Sequence, residues 1–127
     1  MAPKATAMFL LLAGLMGAAG TAVWASGSHG GDPVAAARLT IAGQYLLMHA
    51  IALCAGVALA RTADASWLML AAMGLLAAGS LLFSGDVLWR VWQGERLFAF
   101  AAPLGGLLTI AGWLALAAAG ITLVKRY

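Results

Sequence analysis

His49 sits near the middle of a long apolar run that carries no charge between Arg38 and Arg61. Tyr45 stands four positions earlier, so the two side chains share one face of any helix formed there. An ionisable ring at that depth in lipid is costly and turns toward the protein interior. Two chemistries suit it: a proton relay or ligand site, and a plain hydrogen bond that holds helices together. The second is the commoner use of such a residue. Trp113 lies centrally in the last apolar run, away from any interface, and its indole N–H needs a partner inside the bundle. His49 is one candidate partner.

The remaining candidates stand near the ends of apolar runs. His29 lies in the turn Ser26-Gly27-Ser28-His29-Gly30-Gly31-Asp32-Pro33. Sharing a metal with His49 would require the two rings to meet, yet they are separated by roughly ten residues of helix depth, ~15 Å. A metal ion needs its ligands within about 2–2.5 Å. A structural role in the turn is the expectation for His29. Ser84 closes the third apolar run, and Asp86 and Arg90 follow it at a spacing that pairs charges on one helical face. Such a pair at an interface contributes little to stability. Cys54 and the six methionines read as packing residues. There is no nucleophile–base pair at helical spacing, no Cys-x-x-Cys and no carboxylate cluster. From sequence, then, no catalytic residue, metal site or cofactor is assigned.

The elements that must position these groups follow from composition. Of 127 residues, 65% are hydrophobic and 9% are charged. The mean hydropathy is +1.00. A soluble domain is about 45–50% apolar and about 25% charged, so lipid is the natural solvent for this chain. Its formal charge of +3 comes from residues scattered at segment ends, which excludes a nucleic-acid patch and fits membrane anchors. Charge-free gaps run from Lys4 to Asp32, Arg38 to Arg61, Asp64 to Asp86 and Arg96 to Lys125. Each exceeds ~18 residues, enough for a spanning helix. The expected fold is all-α, a single integral membrane bundle of about four transmembrane helices. They are placed near 6–27, 40–60, 65–85 and 103–124, with an interfacial segment over 86–102 carrying Trp89 and Trp92. Asp64 or Ser66 is expected to cap the third helix, and Pro103 to sit in the first turn of the fourth.

The first run also resembles a secretory signal, but its apolar core is longer than the ~7–15 residues of a signal peptide. It is read as an uncleaved helix. Basic residues slightly favour the side bearing both termini, which places the termini in the cytoplasm. Small residues recur at four-residue spacing in Ala13/Gly17, Gly14/Ala18, Ala52/Gly56, Gly74/Ala78 and Ala115/Ala119, and are read as packing contacts within the chain. Each half contains a helix ending in Ser-Gly and then an Arg-Leu pair (Arg38-Leu39, Arg96-Leu97), a faint likeness that would make a parallel two-helix repeat, although Ala-, Gly- and Leu-rich helices align easily by chance.

Four strings in order, one per helix, resemble the family of small membrane proteins known as domain of unknown function 423. They are Ala25-Ser26-Gly27-Ser28-His29-Gly30, Tyr45-Leu46-Leu47-Met48-His49-Ala50-Ile51-Ala52-Leu53, Gly79-Ser80-Leu81-Leu82-Phe83-Ser84-Gly85, and Pro103-Leu104-Gly105-Gly106 followed by Gly112-Trp113. The chain departs from the family pattern at Trp24, Ser28, Asp86 and Trp89. Asp86 puts a charge where a hydroxyl is usual. The resemblance implies a four-helix membrane protein in the bacterial plasma membrane and supplies no activity.

Three function classes follow. A structural or accessory subunit, or an assembly factor of a membrane complex, fits the scarcity of reactive groups. A small transporter or proton-coupled exporter would rest on His49, the one imidazole deep in a span. A membrane-embedded enzyme or cofactor subunit has only Tyr45 and His49 to draw on. Expected partners are the lipid bilayer, with other membrane proteins or a homo-oligomer, and no nucleic acid.

Overall fold

An apolar run in lipid must close its own backbone hydrogen bonds, and a helix does so within one segment. The computed structural model, which describes residues 1–62 and 66–125, contains four such helices. They are α1 (Pro3–Gly27), α2 (Pro33–Thr62), α3 (Trp67–Gln93) and α4 (Ala101–Val124). All four are long and apolar enough to cross a membrane. The chain is an all-α integral membrane protein.

Two helices outrun their charge-free gaps. α2 begins at Pro33 rather than near residue 40, and α3 continues to Gln93 instead of stopping at 85. Charge marks where lipid ends, and a helix can continue into the headgroup region as long as its backbone stays paired. The expected interfacial segment 86–102 is therefore divided. Its first part is the last two turns of α3, and residues 94–100 are the connection to α4.

Local signals explain the ends. The Asp32 carboxylate accepts from the Ala35 amide at 2.9 Å, with Pro33 opening α2 behind it. The Ser66 hydroxyl accepts from the Met69 amide and caps α3, as expected. Asp64, the other candidate cap, lies outside the described residues. Gly94 ends α3 with a left-handed φ of 77°. Phe100 holds φ 65° at the start of α4, a conformation that strains a side-chain-bearing residue.

The helices pack in chain order: α1 on α2, α2 on α3, α3 on α4. Within their most apolar windows the inner helices α2 and α3 bury 44% of residues and the outer two 17%, so α2 and α3 form the centre. Met16, Leu46, Leu53, Met73 and Leu76 fill the main core. Cys54 departs from the expectation of a packing residue: it is exposed beside α1. Met8 and Met48 are also exposed, whereas Met16, Met69 and Met73 are buried.

Each outer pair is joined where two glycines cross. A Cβ added at Gly43 would lie 2.5 Å from the Trp24 amide nitrogen and 2.7 Å from the Gly20 carbonyl oxygen. One added at Gly20 would lie 2.8 Å from the Gly43 carbonyl oxygen. The second pair repeats this. A Cβ at Gly105 would meet the Phe83 amide nitrogen at 2.5 Å, and one at Gly79 would meet the Gly105 carbonyl oxygen at 2.7 Å. These are backbone-to-backbone contacts, so no rotamer change can relieve them. None of the four glycines belongs to the small-residue pairs picked out by spacing. Those pairs lie along one helix, whereas each crossing joins two.

Gly105→Ala is expected to force α3 and α4 apart and lower stability in detergent unfolding by about 1–3 kcal/mol, the usual overpacking cost. Gly106→Ala is the matched control. Nothing lies within 4 Å of its added Cβ, and unfolding should be unchanged or slightly delayed.

Candidate functional site

Where α2 and α3 cross the membrane together, they carry a column of polar and aromatic side chains. At the loop end stands Asp86, fully buried, with Arg90 one turn later on the same helix face. Arg90 donates to Asp86 Oδ2 through Nη2 at 2.5 Å and through Nε at 3.1 Å. The other carboxylate oxygen, Oδ1, accepts from the Leu97 amide at 2.8 Å. Asp86 thus ties the end of α3 to the α3–α4 connection, three residues before the strained Phe100. Ser84 and Asp86, expected at the loop and interface, both lie on the buried face of α3. The Asp86–Arg90 pair is also more than an exposed surface pair, because one partner is enclosed and also holds a backbone amide.

Two residues deeper, Ser84 Oγ donates to the Ala42 carbonyl of α2 at 3.2 Å. Ser80 and Thr109 are also buried, and both donate within their own helices, to Leu76 and Gly105. These serines share a face at four-residue spacing. That spacing is the sequence signal for a polar seam on α3, masked by the surrounding leucines.

Deeper still, the Tyr45 ring packs on Phe83, centroids 4.3 Å apart, and on His49, 4.5 Å apart. His49 is 3% exposed, and its Nδ1 lies 2.7 Å from the Tyr45 carbonyl oxygen. A carbonyl only accepts, so Nδ1 carries the proton. Nε2 makes no hydrogen bond among the described residues. The Trp113 ring approaches His49 at 6.0 Å. It stands 46% exposed on α4, with no hydrogen bond from its indole among the described residues.

The structure therefore brings Tyr45, His49 and Trp113 together and places Ser84, Asp86 and Arg90 above them toward the loops. His29 stays apart. It is exposed in the α1–α2 connection, its backbone amide donating to the Ser26 carbonyl at 3.4 Å. Among the described residues there is no group of three or more His, Cys, Asp or Glu able to hold a metal. One imidazole with one unpaired nitrogen, an enclosed carboxylate already held by two donors and a few hydroxyls can carry a proton or join helices. They offer no activated nucleophile.

Asp86→Ala would leave the Leu97 amide and the Arg90 guanidinium without their acceptor. The expected loss is about 1.5–3 kcal/mol, the range for hydrogen bonds to charged groups. Amide exchange should speed up at Leu97 and across 94–100 but not at the Gly20–Gly43 crossing.

No solved structure matches the chain. The family described as "Protein of unknown function (DUF423)" matches residues 23–106. That stretch runs from the last turns of α1 into the first turns of α4. It takes in Tyr45, His49, Ser84, Asp86 and Arg90, and leaves Trp113 outside. With most of its length matched, the chain belongs to the DUF423 family.

Proposed function

We propose that this membrane protein is a structural or accessory subunit, or an assembly factor, of a larger membrane complex. One observation carries the reading: every fully enclosed side-chain nitrogen and oxygen among the described residues has a hydrogen-bond partner within the chain. Ser84 joins α3 to α2, Asp86 joins α3 to the connection before α4, and His49 bonds its own helix. Bonding groups that hold helices in place suit a scaffold. A binding or catalytic centre keeps polar groups free for a ligand.

In this reading the protein lies in a bacterial plasma membrane with both termini and the α2–α3 connection on the cytoplasmic side. Lys4, Arg61, Lys125 and Arg126 then lie inside. On the opposite side Arg90 is paired with Asp86, while Trp24, Trp89, Trp92, Phe98 and Phe100 are exposed near the two connections, at headgroup depth.

A second reading, a proton-coupled exporter centred on His49, has one observation in its favour: Nε2 is not fully enclosed and makes no hydrogen bond among the described residues. His49→Ala separates the two. The accessory reading expects a less stable protein or a lost partner. The exporter reading expects a stable, folded protein with no flux.

Native mass spectrometry of the tagged protein, released gently from its own membranes, tests the proposal. A foreign subunit at fixed stoichiometry is expected. The chain alone, or the chain with only copies of itself, contradicts the accessory role.

A further inference from the structure

The two hairpins repeat the same glycine-crossing contacts. When Gly20 is laid on Gly79 and Gly43 on Gly105, the contacts coincide. Gly43 meets the Trp24 amide as Gly105 meets the Phe83 amide, and Gly20 meets the Leu47 amide as Gly79 meets the Thr109 amide. One step further along, Gly17 faces Ala50 where Leu76 faces Gly112. The Ser-Gly and Arg-Leu strings that suggested a repeat are not its equivalents: this register sets Ser26 on Gly85 and Arg38 on Phe100. The repeat resides in the glycine crossings.

The register exposes an asymmetry. In the second hairpin, Met73, Ala77, Ser80 and Ser84 are buried. Met73 lies against Gly56, Ser84 bonds Ala42, Phe83 stacks on Tyr45 and Trp113 approaches His49. Their counterparts in the first hairpin, Gly14, Ala18, Thr21 and Ala25, are all exposed. They line an open groove of about 660 Å³ between α1 and α2, with Ile51 standing where Trp113 stands in the second hairpin.

The counterpart of α2 is α4. The positions on α4 equivalent to Ala42, Tyr45 and His49 are Leu104, Leu107 and Ala111, and they face outward, Leu104 43% and Leu107 64% exposed. Among the described residues of one chain, α4 and α1 make no extensive contact. A groove and the face that matches it are thus presented at opposite ends of the same molecule.

We propose that α4 of a second copy of this chain occupies the α1–α2 groove, in the register with which α2 occupies the α3–α4 groove. Leu104 of the second copy then faces Ala25, and Ala118 faces Gly14, as Ala42 faces Ser84 and Gly56 faces Met73 within the chain. Small residues on both sides permit the close helix approach that favours association in lipid. The contact is head-to-tail, so it builds a ring or an extended array rather than a two-fold dimer. It stands independently of the accessory reading, since a complex with a foreign subunit can contain one copy or several.

Cysteine cross-linking in bilayers tests it, in a Cys54→Ala background that removes the one native thiol. Chains with Gly14→Cys are mixed with chains with Ala118→Cys. An added Cβ at Gly14 meets nothing within 4 Å, so the fold tolerates the change. A disulfide-linked dimer is expected from the mixture and from neither chain alone. A mixture of Gly74→Cys with Ala118→Cys is the control, since Gly74 is equally open but lies on α3. Adding Ala18→Phe to the first chain should cut the linked fraction roughly tenfold, about 1.4 kcal/mol, while leaving unfolding of the single chain unchanged. No dimer, equal linkage in the control, or linkage undiminished by Ala18→Phe would overturn the proposal. So would a groove filled by lipid or by a helix of another protein, because neither yields the Gly14–Ala118 link.

Discussion

Direct contact of backbone with backbone at two glycine crossings is the constraint from which the other features follow. Between apolar helices in lipid there is no hydrophobic driving force, so association depends on close packing and on the few polar bonds that can form. Gly20 on Gly43 and Gly79 on Gly105 supply the closest approach available to two helices. Each crossing sets the tilt and register of a hairpin. Register then decides which residues of α1 and α4 face outward, and which of α2 and α3 meet in the middle.

That middle seam is where polarity is tolerated. Ser84, Asp86 and His49 are buried there, each with a bond inside the chain. Asp86 is the extreme case, a fully buried acid whose two oxygens take the Arg90 guanidinium and the Leu97 amide. Enclosing a charge is tolerable when the partner and the remaining lone pairs are both satisfied. In return the carboxylate holds the connection that carries the left-handed Phe100. The glycine crossings and the polar seam thus divide the work. The first joins helices within a hairpin, and the second joins α2 to α3 and α3 to the turn that follows it.

Much of this was legible in the sequence, and the misses have physical causes. Four helices followed from charge-free gaps, because lipid penalises charge at its centre. Helix ends were misplaced at residues 40 and 85 because charge reports depth, while helicity ends only where Pro, Gly or a cap intervenes, as at Pro33 and Gly94. Tyr45 and His49 were found on one face because four-residue spacing within a helix is readable. Ser84 on Ala42, Asp86 on Leu97 and the two glycine crossings were not found, because each joins residues far apart in the chain. The sequence holds 16 glycines among many alanines, and spacing along one helix cannot select which of them meets a neighbour.

The most direct measurement of the central claim is solid-state NMR of glycine-labelled protein in lipid bilayers. Through-space transfer would be sought between Gly20 and Gly43 and between Gly79 and Gly105. Cross-peaks for both pairs, persisting as the bilayer is thinned or thickened, are expected if the crossings organise the fold. Helical chemical shifts with neither cross-peak would mean that the four helices span the membrane without these contacts, and the account built on them would be wrong.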